Sequence, residues 1–516
     1  MATIATNDIP AAQGAPDLSV APPLTTVTRL SYGVGAVANG VKNAAFSSYL
    51  MLYYNQVIGV PASIVSLAIA ATLIVDALAD PLIGRWSDVT RTRWGRRHPF
   101  IFGAALPTAC FFILAWFPPA GMSHLETGLW IFFTAMAARV SISAFEINSS
   151  AMTPELTGDY QERTRLFGLR YWFGYAGAFG FTALSLATIF AATPDYPRGQ
   201  LNPAGYTWFA FFGGATIFVA ILLCGIGTMN RIPWLRQADI RPARVAGTRR
   251  PSTFGRHLRE MAESLKNRAF LSIFGFGVLK YSAIGLYSAT SLYFGTYLFK
   301  LNGAQLALLT FDSLVAATLA APLAPVVSNW IGKRNASMIF AVIGVALGLS
   351  PLLLSLNGLF FLPGDPRLVP TLFVIGALYG AMVAISLINT SAMLADVVED
   401  SAVRTGRHDA GMFFAASSFM QQASAGVGIA LAGAILTASN FPARADPASV
   451  TPAMLDSLML HYIPTSMGLW TLGCLFLLFY PITREKHEAN VEALRARAAE
   501  ARERELRDAP VGGPAR

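Results

Sequence analysis

A chain of 516 residues that is 54% hydrophobic and 13% charged, with a mean hydropathy of +0.49, falls outside the soluble class, where charged residues make up about 25%. Its formal net charge of +9 lies mainly in short loops and tails between apolar stretches, not on one folded face; this argues against nucleic-acid partners and for a protein that crosses a membrane many times. Cys110, Cys224 and Cys474 stand far apart inside apolar runs, so their spacing offers neither a disulfide framework nor a metal-ligand set.

Residues 1–26 are rich in Ala, Pro, Thr and Asp. They lack the basic start and apolar core of a cleaved signal and read as a disordered cytoplasmic tail. Apolar runs long enough to cross a bilayer, roughly 20 residues each, follow near 27–57, 62–87, 99–120, 125–153, 165–193 and 205–230. A second series runs near 268–299, 303–328, 336–358, 367–397, 410–439 and 457–482. The pattern predicts an all-α polytopic membrane protein of twelve transmembrane helices, with one six-helix bundle over 27–230 and another over 268–482. Between them, 231–267 is a linker in which Leu258, Met261 and Leu265 alternate with charges, as in an amphipathic helix lying on a membrane surface. The tail 483–516 is charged, and its Glu, Arg and Ala up to Asp508 predict a solvated helix.

Charge sets the orientation. Five Arg fall between Arg85 and His98, and ten Lys or Arg against three acids between Arg231 and Arg268. Lys333, Arg334, Arg404 and Arg407 mark further loops on that side, while the opposite loops carry only scattered charge. Both termini are therefore expected in the cytoplasm, with the chain in the plasma (inner) membrane.

The second run holds Asp76 and Asp80, one helical turn apart and so on one face. Carboxylates inside a membrane helix are costly unless they face a cavity, a cation or a proton path. Asp88 and the basic turn Arg91, Arg93, Arg96 and Arg97 follow. Pro322-Leu323 and Gly332-Lys333-Arg334 repeat, in the second half, Pro81-Leu82 and Gly95-Arg96-Arg97 of the first. Ala321 replaces Asp80 there, so the cation chemistry belongs to the first half of a transporter built from two similar bundles.

Several stretches together resemble the major facilitator superfamily and, within it, the glycoside–pentoside–hexuronide:cation symporters typified by melibiose permease. They are Leu30-Ser-Tyr-Gly33, Tyr49-Leu-Met-Leu-Tyr-Tyr54, Asp76-Ala-Leu-Ala-Asp-Pro81, Thr92-Arg-Trp-Gly-Arg-Arg-His-Pro99, Ala395-Asp-Val-Val-Glu-Asp400 and Thr405-Gly-Arg-His-Asp-Ala-Gly411. The Trp-Gly-Arg-Arg-His-Pro-Phe-Ile form is also similar to plant-type sucrose carriers. The resemblance implies that Asp76, Asp80 and a hydroxyl on span four, Ser143, bind the coupling cation. It also implies that Glu146 and Arg170 contact sugar. Where relatives carry a sodium-site Asn, a sugar-binding acid in span one, a Lys in span eleven and a stacking aromatic in span four, this chain has Ala79, Gly40, Gln422 and Ser150.

Other readings rest on the residues themselves. Arg139 and Glu146 share a face of span four, and with Arg170 they serve either hydroxyl recognition or a buried ion pair locking spans four and five. Lys42, beside Asn43, is a solute ligand, a counter-charge to Asp76 or Glu146, or a snorkelling side chain. Lys280 and Asp312, both inside apolar runs, are expected to pair, with Lys280 and Gln422 counted among solute-binding residues. Asp88, Arg96 and Arg97 are candidate gate residues, with Asp396, Arg404, Arg407 and Asp409 as partners in exchangeable ion pairs.

The expected function is a secondary symporter coupling proton or sodium entry to uptake of a sugar or glycoside, acting as a monomer in the bilayer without cofactor or resident metal, save possible sodium at Asp76 and Asp80. Two readings stand beside it: a carrier of lipid-like or drug-like solutes, and a non-transporting receptor or scaffold. No catalytic constellation and no phosphate-cradling Gly-Lys-Ser/Thr loop is present.

Overall fold

A backbone in hydrocarbon must satisfy its own hydrogen bonds, which leaves apolar runs of this length to form helices. The computed structural model describes residues 23–157, 159–233, 235, 267–405, 410–445 and 449–508, and no strand occurs among them. The stretch 254–266, Arg407, Asp409 and residues 1–22 lie outside the described residues.

Twelve helical stretches follow one another where the hydropathy predicts them. Span one is broken into Thr26–Val34, Ala36–Ala44, a π turn Ala45–Tyr49, Leu50–Leu52 and a second π turn Tyr53–Ile58. Next come Ala62–Val89, His98–Leu114, His124–Leu156, Tyr160–Leu184 with a π turn Ser185–Ile189, and Pro203–Thr228. The second series is Arg268–Tyr293 with a π turn Phe294–Leu298, Gly303–Thr310 continued by Asp312–Ile331, Lys333–Leu356, Leu368–Thr405, Ala410–Ala438 and Pro452–Leu478. Among the described residues, nine of these are long and apolar enough to cross a membrane.

Close helix approach in a membrane needs small residues at the contact. Span one meets span five where Gly40 rests on the Gly174 carbonyl. Span eleven meets span seven through Gly285 and Gly428, and span two through Gly426 and Gly433 against Ala70, Ser66 and Ala62. Spans two and eleven thus join the first six spans to the last six.

The molecule has two unlike ends. The basic end carries the loops after spans two, four and eight and the ends of spans six and ten. At the far end Asn55 and Gln56 are buried, and hydrogen bonds cross from the first six spans to the last six. Tyr293 Oη donates to Asn55 Oδ1 at 2.9 Å, Tyr297 Oη to Gln56 Oε1 at 2.8 Å, and the Ala445 amide to Gln56 Oε1 at 3.0 Å. Gln200 Nε2 reaches Thr296 Oγ1 at 3.0 Å.

Beyond the last span, Arg484–Asp508 forms the expected helix, but its first turns are docked rather than solvated. Lys486 Nζ lies 3.2 Å from Asp400, Asn490 Nδ2 donates to Asp400 at 3.3 Å, and His487 Nδ1 lies 3.3 Å from Asp396 and 3.1 Å from Glu399. Acids on the end of span ten attract the basic first turns, which a heptad search does not detect.

Candidate cation and solute site

Asp76 lies 13 residues from Val89 at the basic end of its helix, about 20 Å along the axis and close to the middle of a bilayer. Pro81 follows Asp80 and removes the helical hydrogen bond to the Ala77 carbonyl, loosening the helix beside the two carboxylates. Asp76 is buried; Ser143 Oγ donates to its Oδ1 at 3.0 Å, and Arg139 Nη1 lies 3.8 Å from its Oδ2. Asp80 Oδ2 accepts from Gln422 Nε2 at 3.0 Å, across the join between spans two and eleven. Asp80 Oδ1 and Gln422 Oε1 are buried and have no hydrogen-bond partner in the protein.

One layer away, Arg170 Nη2 donates to Glu146 Oε1 at 2.5 Å and Nη1 to Ser149 Oγ at 2.7 Å, while the guanidinium covers the Tyr32 ring at 5.5 Å. Tyr32 is fixed in turn by the Ser149 carbonyl and by Thr153. Glu146 Oε2 and Arg139 Nε are buried without a protein partner. Lys42 is buried and in electrostatic range of Asp76, Glu146, Asp80 and Arg139, with no direct ion pair among the described residues. Its neighbour Asn43 is exposed and makes no hydrogen bond to this cluster.

Asp76, Ser143, Arg139, Arg170 and Lys42, all buried, and the half-buried Asp80, Glu146 and Gln422 therefore form one assembly. Gly40 explains itself: a Cβ there would strike the Gly174 carbonyl, leaving no room for an acid. The expected Lys280–Asp312 pair does not form. Asp312 lies 9 residues from the far end of span eight, next to Ser313, Tyr287 and Tyr379. Lys280 lies 12 residues in from the basic end of span seven, which separates the two by about 13 Å in depth.

At the basic end, Arg96 Nη2 and Arg97 Nη2 both reach Glu155 Oε1, at 2.6 and 3.1 Å, and Arg97 Nη1 lies 2.9 Å from Asp88. Lys333 Nζ donates to Asp396 at 2.7 Å, and Arg404 Nη1 lies 3.6 Å from Asp400. Each of these pairs stays within one set of six spans. Glu155, Ser149 and the Asn55–Gln56 pair were missed by the sequence reading. Adjacent amides at the end of an apolar run were the available signal for the last.

Residues 31–484 match the family of MFS/sugar transport proteins. The chain is 26% identical to the uncharacterized symporter sll1374 of Synechocystis, over 91% of this chain and 96% of that protein. It is 25% identical to the isoprimeverose transporter of Lactiplantibacillus pentosus, over 88% of each. Among solved structures, the inward open xylose transporter XylE of E. coli superposes with a TM-score of 0.59 at 14% identity, covering 90% of this chain and 98% of that one.

Proposed function

The chain belongs to the family of MFS/sugar transport proteins, and on that premise we propose that it is a cation-coupled symporter of a sugar or glycoside. It is a transporter rather than an enzyme. The observation that carries the coupled reading is the carboxylate pair of buried Asp76 and half-buried Asp80, held by Ser143 on one side and by Gln422 of the other six-span set on the other. The second contact ties occupancy of Asp80 to the join between the two sets. Protonation or cation binding at Asp80 alters its contact with Gln422, and linkage requires solute binding to shift in return.

The coupling ion in this reading is a proton, with sodium as the alternative. At this contact Asp80 Oδ1 and Gln422 Oε1 are the unpartnered oxygens. A sodium ion requires several oxygens converging on one point, and Ala79 supplies none. Glu146 and Arg170, with Arg139, Lys42 and Gln422 around them, offer the directional donors and acceptors that a hydroxyl-rich solute needs. Asn43 joins them only if the helix rotates. The relative named as an isoprimeverose transporter supports this class of solute, and the one named as a symporter supports coupling.

The basic end is taken as cytoplasmic, in an inner membrane, with both termini there. The two sets of six act as the rocking bundles of alternating access within a single chain. Hydrogen bonds crossing at the far end support an inward-facing state, in which Asp88, Arg96, Arg97, Asp396 and Arg404 pair within their own bundle and would exchange partners on closure.

The test is solute-driven proton movement in proteoliposomes, with and without sodium, for wild type, Asp76→Asn and Asp80→Asn. Sugar-dependent proton uptake that falls by roughly 100-fold in both variants is expected. Sodium-dependent uptake without proton movement would overturn the ion. Uptake of lipid-like solutes alone would overturn the substrate class.

A further inference from the structure

Lys280 is the buried cation that the cluster around Asp76 does not use. It is 1% exposed, and 12 residues from Arg268 bring it to about the same depth as Asp76. Its ammonium lies over two rings, Phe276 at 4.9 Å and Tyr281 at 4.7 Å. Among the described residues it makes no ion pair or hydrogen bond, and no charged group lies in electrostatic range. Tyr281, the next residue, is in range of Tyr175 on span five, while Phe276, one turn before Lys280 on its own face, packs against Trp470 of span twelve, so the ammonium sits between the span-twelve contact and the ring that looks toward the first six spans.

The contrast with the other intramembrane cations is chemical. Arg139 has Asp76, Arg170 has Glu146, and Lys42 lies among Asp76, Asp80 and Glu146. In that cluster three cations stand against three carboxylates, and Lys280 is the surplus. Aromatic faces attract an ammonium but do not neutralise it, and an uncompensated charge at this depth is costly.

We propose that the transported solute bears an acidic group, a carboxylate or a phosphate, and that Lys280, flanked by Phe276 and Tyr281, is the site that receives it. This rests on the reading of the chain as a solute symporter and deepens it: hydroxyls meet Glu146 and Arg170 on the first six spans, and the anion meets Lys280 on the last six. A solute spanning both would draw the two sets together, which a neutral sugar does less well.

The test measures ligand affinity and uptake on the full chain with matched pairs: phenyl glucuronide against phenyl glucoside, glucose 6-phosphate against glucose, and a lysophosphatidic acid against a monoacylglycerol. Wild type is expected to bind at least one acid about tenfold or more tightly than its neutral match. Lys280→Gln should lose that preference, and Lys280→Arg should keep it. Which pair responds separates a carboxylate from a phosphate. Equal affinity for acid and neutral match in wild type, a measurement that needs no variant, overturns the inference, as does a preference that survives Lys280→Gln. Coupled uptake of neutral sugars with no acid preference would sink the inference and leave the symporter reading standing. A response to the acidic lipid alone would sink the sugar reading and leave Lys280 standing. Silence toward every member, from folded protein, overturns both.

Discussion

The far end and the basic end hold the two sets of helices by different chemistry. At the far end the partners are neutral amides, phenols and backbone groups, buried and crossing between the sets: Tyr293 to Asn55, Tyr297 and Ala445 to Gln56, Gln56 to the Pro442 carbonyl at 3.1 Å. At the basic end the partners are charged and partly exposed, and each pair among the described residues stays within its own set. Buried neutral hydrogen bonds are costly to orphan, whereas exposed ion pairs are worth little and change partners readily. The far end is therefore a committed closure, and the basic end a set of contacts ready to be exchanged.

The largest expected break in that contrast is Gln56→Leu. It takes the acceptor from the Ala445 amide and the donor from the Pro442 carbonyl, while Tyr297 keeps the Ala445 carbonyl at 3.2 Å, at a cost of roughly 2–4 kcal/mol. Far-side closure should weaken by one to two orders of magnitude. A reporter at Ala79→Cys, in a background lacking Cys110, Cys224 and Cys474, should become reactive toward an impermeant thiol reagent added from the far side. Unchanged labelling would show that the other crossing hydrogen bonds, Tyr293 to Asn55 and Gln200 to Thr296, close that end without Gln56.

Glu155→Gln sharpens the contrast from the other side. Glu155 accepts from both Arg96 and Arg97, and with the Glu155 side chain 12% and that of Arg97 8% exposed this is a largely buried contact; Asp88 and Ser87 remain to Arg97, so losing the charge costs about 2 kcal/mol. Far-side labelling should stay as in wild type, while uptake changes by a few-fold and loses part of its salt dependence. Far-side labelling equal to that of Gln56→Leu would mean that the two ends are not separable.

These differences bear on what a sequence can disclose. Span positions followed from apolar length. The Asp76–Asp80 face followed from helical periodicity, because both are local properties. Gln422 meeting Asp80 was not legible: the two stand 342 residues apart, and only the glycine-lined approach of span eleven to span two brings them together. The expected Lys280–Asp312 pair failed for a reason that counting could have caught, since their depths from opposite membrane faces do not coincide. Polarity in an apolar run marks a residue as needing a partner, and the partner's identity waits on the packing of other helices.

The smallest effect is expected where the terminal helix docks on the basic end. Lys486→Ala with Asn490→Ala removes two partners of Asp400, yet Arg404 still faces that carboxylate and Lys333 still holds Asp396. With Lys486 nearly half exposed, the pair contributes about 1 kcal/mol or less. The double variant should free the helix to limited proteolysis while changing uptake by less than about twofold, because no span loses its counter-charge. A large loss of uptake would show instead that Asp396 and Asp400 exchange partners during transport, with the terminal helix as one of those partners. The basic end would then be held by three bodies rather than two.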